Sequence, residues 1–309
     1  MKVLVSDLIA EDGIKKLEEE GLEVVIKPGL SPDELKLEIK DADAIIVRSA
    51  TKVKRDIIEA AEKLKVIGRA GVGLDNVDQE AAKERGIKVV NTPGATSISV
   101  AELALAHMLA LSRHIVEGTV SLREGRWEKK KLEGVELYGK ILRVVGCGRI
   151  GRELAKRAQA MGMETIGSDI EGLCDMAAIK DADIEMVPLN ELLEKSDYIT
   201  LHMPLTKENK HLFGEEVFEK MKPTAILINC ARGGIVDEEA LYEALKEGRI
   251  KGAAMDVFEV EPPQDYKLAT LKNFIGTPHI GAATEEGQLR AGVEIAELVA
   301  GSLKALKSA

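Results

Sequence analysis

The sequence predicts an α/β protein built from two doubly wound parallel-sheet domains, and three observations predict it. Short β-branched runs alternate with charged amphipathic segments along the 309 residues. The alternation comes in two series, the second restarting at residue 141. The second series opens with a Gly-x-Gly-x-x-Gly turn, in "ILRVVGCGRIG" (141–151), and the first does not. Apolar strands alternating with helices are the pattern of parallel β–α–β units, because each crossover helix covers a face of the sheet. The length suits two domains better than one.

In the first series the strands are "VLVS" (3–6), "EVVI" (23–26), "AIIV" (44–47), "KVIGRA" (65–70) and "KVVN" (88–91). Helices are expected at 11–20, 32–40, 53–63 and 76–85. Ser31 is placed to cap the second of these, with Pro32 at its first position. The stretch "SISVAELALAHMLALSRHI" (97–115) is apolar on most faces and predicts one helix buried between layers or subunits. Strands of the second series fall near 141–145, 163–167, 198–202, 225–229, 252–257 and 273–277, and the tail from about 284 to 306 reads as a helix.

Composition narrows the function classes. Apolar residues are 45% and aromatics 3%, so the cores are aliphatic. The net charge of −10, with no long basic block, argues against nucleic acid as a partner. Cys147, Cys174 and Cys230 are scattered, so neither a metal site nor a disulfide framework is expected. The first apolar run is cut at Asp7, unlike a signal peptide, and the stretch 103–111 falls short of a membrane span. A soluble, cytoplasmic protein with no membrane partner is expected.

The glycine turn has the right surroundings for a dinucleotide. Gly146 permits the tight turn, Gly148 lets a pyrophosphate approach the backbone, and Gly151 lets helix pack against strand. The helix that follows puts Ile150, Leu154, Ala158 and Met161 on one face. Its free N–H groups and partial positive charge suit a phosphate, and Arg149 can add a contact. Asp169, 18 residues after Gly151, supplies the acid expected on the ribose hydroxyls. With Glu171 and Asp175 nearby and no cation before Lys180, NAD is favoured over NADP.

Ligands of open α/β sheets bind beyond the carboxyl ends of the strands. Arg232, Asp256 and His279 each follow or end such a strand, and Glu261 lies just after the Asp256 strand. Each is ordinary alone; together they supply a base, an acid partner and a guanidinium. Oxidising a hydroxy acid removes the hydroxyl proton as hydride leaves the same carbon. A neutral imidazole at His279 suits that transfer, and Glu261 beside it would raise its pKa. Arg232 can hold a carboxylate and polarise the carbonyl of the product. His107, His114, His202 and His211 read as structural or surface residues, His107 as a satisfied core histidine.

The stretches "VVGCGRIGREL", "INCARGGIVDEEAL", "AAMDVFEVEPP" and "TPHIGAAT" resemble the D-isomer-specific 2-hydroxyacid dehydrogenases, and the likeness runs over nearly the whole chain. The resemblance implies Arg232, Glu261 and His279 as the catalytic set. It implies Asp256 on the nicotinamide carboxamide, with Cys230 and Ala231 lining the cofactor by backbone. Met203 and Gly281 fall in the same cofactor shell, Met203 where many relatives carry a small polar residue. It further implies a Rossmann NAD domain (96–283) inserted into a flavodoxin-like substrate domain (1–95 and 284–309). Closure of the domains would exclude water. A homodimer through the nucleotide domain is implied as well.

Within the family, "IIVRSATKV", "VIGRAGVGLDNVD" and "VVNTPGATSISVAELAL" are similar to the branch whose substrate is a small phosphorylated 2-hydroxy acid. That places Arg48, Ser49 and the amides of Val72 and Gly73 at the substrate. Glycines 71 and 73 are expected to form an anion-binding nest. The run "GRWEKKKLEG" (125–134) is either a solvated surface or, as in that branch, a basic loop whose Lys129 and Lys130 reach a partner's substrate phosphate. Longer members of the branch carry C-terminal regulatory domains, and a chain ending at 309 argues against regulation through them. Other members reduce glyoxylate or hydroxypyruvate, oxidise D-lactate, or act as NAD-sensing corepressors. Arg48 and the lysine run set this chain apart from the other dehydrogenases, and turnover would set it apart from a sensor.

Overall fold

The computed structural model describes residues 1–169, 175–191 and 193–308. Contacts divide the chain into two compact units, Met1–Ser97 with Ala282–Ala309, and Ile98–Gly281.

The first unit holds β1 (Lys2–Val5), β2 (Glu23–Ile26), β3 (Ala44–Val47), β4 (Val66–Arg69) and β5 (Lys88–Asn91). They form one parallel sheet in the order β2-β1-β3-β4-β5. The crossovers are α1 (Glu11–Glu19), α2 (Pro32–Glu38), α3 (Arg55–Ala60) and α4 (Gln79–Glu84). Ser31 does cap α2, in a reciprocal capping box with Glu34. Period-two alternation sorts the strands onto two cores. Leu4, Ile45 and Ile67 face α2, α3 and α4, whereas Val3, Ile46 and Val66 face the other way. All four residues of β3 are buried, as a central parallel strand covered on both faces requires. The second core is closed by the last helix, which brings Ile295, Val299 and Leu303, each 0% exposed, at helical spacing. Each such burial stabilises by about 1.5–3 kcal/mol.

The second unit takes up α5 (Ser97–Ser112) from its second residue and continues with α6 (Ile115–Arg123). The single helix expected over 97–115 is therefore broken. His114 adopts a left-handed backbone, φ +52, which ends one helix and redirects the next. The sheet comprises β6 (Ile141–Val145), β7 (Glu164–Ser168), β8 (Glu185–Met186), β9 (Tyr198–Leu201), β10 (Ile226–Asn229), β11 (Gly252–Met255) and β12 (Phe274–Gly276). Its order is β12-β11-β10-β9-β6-β7-β8, all parallel, with the reversal between β6 and β9. The helices are α7 (Arg149–Ala160), α8 (Met176–Asp181), α9 (Glu215–Lys220) and α10 (Glu238–Lys246). One face packs under α5 and α7 through Ala104, Met108, Leu154 and Ala158. The other packs under α9 and α10 through Phe218, Leu241 and Leu245. The chain closes in the first unit with α11 (Glu285–Ser308). The fold class is the one the sequence predicts: two doubly wound parallel sheets. Among the described residues no helix is long and apolar enough to cross a membrane.

Candidate active site

At the end of β6 the chain turns at Gly146, φ +94, whose N–H donates to the Ser168 carbonyl at 2.8 Å. A side chain there would lie 2.7 Å from the His202 carbonyl group and 2.9 Å from the Met203 nitrogen. A methyl added to Gly151 would overlap the Gly146 carbonyl oxygen and press on Val144, so α7 sits directly on the turn. At Gly148 the opposite holds: a built Cβ meets nothing within 4 Å. Open space therefore faces the first N–H groups of α7, where an anion gains most from the helix end. Arg149 is exposed there, and the half-buried Ile150 packs back on the core. These are the features a pyrophosphate requires, and the residues present fit one.

Asp169 lies just past β7 and is exposed. Its Oδ2 accepts the Cys147 N–H at 2.7 Å, so the acid also pins the glycine turn. Arg152 donates to the Cys147 carbonyl at 2.9 Å, a contact with no mark in the sequence pattern. Met203 follows β9 and packs, partly buried, on the core beneath α9 and α10. Glu171 and Cys174 lie outside the described residues.

Beyond β10 the turn bearing Arg232 is built by Asn229, which is 0% exposed. Its amide donates to the Arg232 carbonyl at 3.0 Å and its oxygen accepts the Ala231 N–H at 3.0 Å. The Arg232 guanidinium donates to the Ala231 carbonyl at 2.6 Å. Cys230 and Ala231 are each 7% exposed, and burial, then the charge of Asp256, pushes the Cys230 thiol up. It is no nucleophile at neutral pH. A methyl on Gly233 would overlap the Phe258 carbonyl, so the Arg232 and Glu261 turns meet backbone to backbone.

His279 follows β12 with φ +52. Its Nδ1 lies 2.7 Å from Glu261 Oε2, while Glu261 Oε1 accepts the Phe258 N–H at 3.1 Å. The hydrogen bond to Glu261 raises the His279 pKa; burial opposes it, and the charges of Glu261 and Asp256 add to it. Burial pushes Glu261 up, but its hydrogen bonds to His279 and Phe258 and the nearby Arg232 charge leave it lowered. With Nδ1–H held by the carboxylate, Nε2 has no partner among the described residues and is the nitrogen able to accept a proton. The pair lines a groove of about 770 Å³ with Phe258, Pro262 and Tyr266.

Asp256, the expected carboxamide contact, lies just past the end of β11. It is 1% exposed, and its oxygens already accept from the Thr277 hydroxyl and the N–H groups of Ile280 and Gly281. Three of roughly four acceptor positions are thereby filled.

In the first unit, Arg48 and Ser49 begin the loop after β3. Asp7, 8% exposed, accepts the N–H of Arg48 at 2.6 Å and of Thr51 at 3.1 Å. The Asn76 amide donates to the carbonyls of Arg48 and Thr51, and the Asn91 amide to that of Val72. The loops bearing Arg48 and Gly73 are thus tied by Asp7, Asn76 and Asn91, none of them expected at the site. Among the described residues the Arg48 guanidinium makes no hydrogen bond or ion pair. At the expected two-glycine nest, Gly71 has φ +138 and packs on the Arg69 guanidinium. In the second unit Lys129 and Lys130 lie exposed on a short 3-10 turn, while Lys131 pairs with Glu128 at 2.9 Å.

The sheet order, the glycine turn and the acid after β7 define a dinucleotide-binding domain. Residues 105–281 match the D-isomer specific 2-hydroxyacid dehydrogenase, NAD binding domain. The chain belongs to that family, and its cofactor is NAD. It is 56% identical over 300 residues to a D-3-phosphoglycerate dehydrogenase of Methanocaldococcus jannaschii, covering 97% of this chain and 57% of that one. It is 50% identical over 302 residues to a hydroxypyruvate reductase of Thermotoga maritima, covering 96% and 97%. A solved protein of Thermus thermophilus superposes with a TM-score of 0.89 at 38% identity over 99% of this chain and 97% of that one. The chain thus spans a little over half the length of its phosphoglycerate dehydrogenase relative.

Proposed function

We propose that the protein oxidises D-3-phosphoglycerate to 3-phosphohydroxypyruvate with NAD, a step toward serine. The observation that carries the reading is the His279–Glu261 pair, Nδ1 to Oε2 at 2.7 Å, at the carboxyl end of the NAD-binding sheet. When bound, NAD accepts the hydride. His279 Nε2 takes the hydroxyl proton, and Glu261 stabilises the imidazolium that results. Arg232 holds the substrate carboxylate and polarises the forming carbonyl. Gly146, Gly148, Arg149, Ile150 and Gly151 cradle the pyrophosphate, and Asp169 the ribose. Met203, Cys230, Ala231 and Gly281 complete the cofactor wall, with Asp256 offering its remaining acceptor position to the carboxamide.

For the substrate's anionic end we assign Arg48 and Ser49 with the amides of Val72 and Gly73. This makes the first unit the substrate-binding one. The homodimer is supported by large apolar side chains exposed within one stretch of the second unit, 115–138: Ile115 is 53%, Leu122 59%, Trp127 82% and Tyr138 75% exposed. Exposed apolar residues concentrated in this way favour an interface. Lys129 and Lys130 in the same stretch are assigned to the partner's substrate phosphate.

The relative from Thermotoga maritima, similar over nearly its whole length, favours hydroxypyruvate reduction as the second reading. Steady-state kinetics with NAD against 3-phosphoglycerate, glycerate, lactate and glycolate decides between them. The highest kcat/KM is expected for 3-phosphoglycerate; a preference for glycerate refutes the assignment, and no turnover of any of them leaves a sensor.

A further inference from the structure

We propose that Thr277 and His107 are positioning residues which, through Asp256, hold the turn bearing His279 in its working geometry. The inference rests on His279 being the base. Its ground is a buried chain of hydrogen bonds that fills the acceptor positions of Asp256 other than the one assigned to the carboxamide. Asp256 Oδ1 accepts the Thr277 hydroxyl at 2.6 Å and the Ile280 N–H at 2.8 Å, and Oδ2 accepts the Gly281 N–H at 2.7 Å. One carboxylate thus grips the turn on both sides of His279.

That grip has something to resist. His279 is held at φ +52, and its own N–H bonds to the Thr277 carbonyl at 3.0 Å. A non-glycine residue keeps such a backbone only when its surroundings impose it. Released, the turn relaxes toward negative φ and carries the ring away from Glu261.

Proton placement then recruits His107. A carboxylate only accepts, so the Thr277 hydroxyl proton points at Asp256. The Thr277 oxygen faces His107 Nε2 at 3.2 Å as an acceptor, which makes His107 the donor and fixes its Nε2–H tautomer. Burial holds His107 below the ordinary histidine range, against the pull of the Asp256 charge. A neutral, 4% exposed ring on α5 therefore orients the hydroxyl that orients Asp256. The core role expected of His107 becomes a connection between α5 and the base.

Thr277→Val removes the hydroxyl at constant shape, Thr277→Ser retains it, and His107→Leu removes the donor. The measurements are kcat, both KM values, the pH dependence of kcat/KM, and the His279 ring titration by NMR in the free protein, assigned with His279→Gln. Thr277→Val is expected to lower kcat by at least about tenfold, since a misplacement of about 1 Å costs on the order of a hundredfold. Both KM values should stay within about twofold, because only an interaction of the transition state is lost. The His279 titration should move to lower pH as its contact with Glu261 loosens. Thr277→Ser should restore both, and His107→Leu should fall between. Wild-type kcat and titration in Thr277→Val overturn the proposal. So does a raised KM for NAD at unchanged kcat, or lost thermal stability with the His279 titration unmoved. If the wild-type protein oxidises no 2-hydroxy acid, the proposed function fails, and the NMR titration still decides the tether.

Discussion

Glu261→Gln keeps the size of the side chain and removes its charge. In the native pair the carboxylate serves two donors at once, His279 Nδ1 at 2.7 Å and the Phe258 N–H at 3.1 Å. An amide offers one oxygen, so one of these donors then meets an NH2 group. A charged hydrogen bond contributes about 1.5–3 kcal/mol and a neutral one about 0.5–1.5, so removing the charge costs about 1–1.5 kcal/mol. The His279 and Glu261 side chains are 50% and 38% exposed. Solvent screening therefore takes the value to the lower end, about 1 kcal/mol, which is a fall in kcat of about fivefold. Glu261→Ala also frees the ring to rotate and should cost about a hundredfold.

The pH dependence has a definite sign. The bond to Glu261 is the largest cause raising the His279 pKa, so that pKa falls in the variant. The base works unprotonated, so the acidic limb of kcat/KM for oxidation moves to lower pH. Steady-state rates with NAD across the acid-to-neutral range measure it. A limb that stays in place, or moves to higher pH, refutes the reasoning. The same shifts bear on stability. The raised His279 pKa stabilises below its unfolded value and is lost as pH rises through the folded one. The lowered Glu261 pKa stabilises above its unfolded value and is lost as pH falls through the folded one. The pair thus stabilises most between the two.

Two further outcomes are expected. Asp169→Ala removes the acceptor of the Cys147 N–H and should weaken NAD about tenfold or more by calorimetry, with less discrimination against NADP; an unchanged Kd counts against the assigned role. Arg143 is 0% exposed, and its bonds to the Pro188 carbonyl at 2.6 Å and Ser168 Oγ at 3.2 Å leave Nε and one terminal nitrogen without a partner among the described residues. Because desolvating a charge costs several kcal/mol, Arg143→Met should leave the melting temperature unchanged or raised; a loss of more than about 3 kcal/mol in denaturant unfolding would mean the guanidinium is better paired than these bonds indicate.

Much of this was legible in the sequence because it is periodic or local. Strands of β-branched residues between amphipathic segments specify parallel β–α–β units wherever they occur. The glycine turn needs backbone freedom and close approach that Gly146 and Gly151 alone supply. What escaped the reading lacked such a signal. The two residues of β8 are too few to show a period, and the break at His114 is one left-handed residue inside an apolar run. Asn229 in "AILINCA" does carry a signal, since a polar residue amid a buried strand must find partners.

The sequence by itself determined two wound sheets, NAD and the identity of the residues offered for chemistry, since composition, spacing and turn chemistry are properties of neighbours along the chain. The tertiary structure alone decided how those residues are used. His107 and Thr277 are 170 positions apart and meet at 3.2 Å. Asp256, expected at the cofactor, is also the buried anchor of the His279 turn, and Asp7, a break in an apolar run, is the post that holds the Arg48 loop. Hydrogen bonds between strand ends depend on sheet order and register, which bring distant residues into hydrogen-bonding range and which no local pattern encodes.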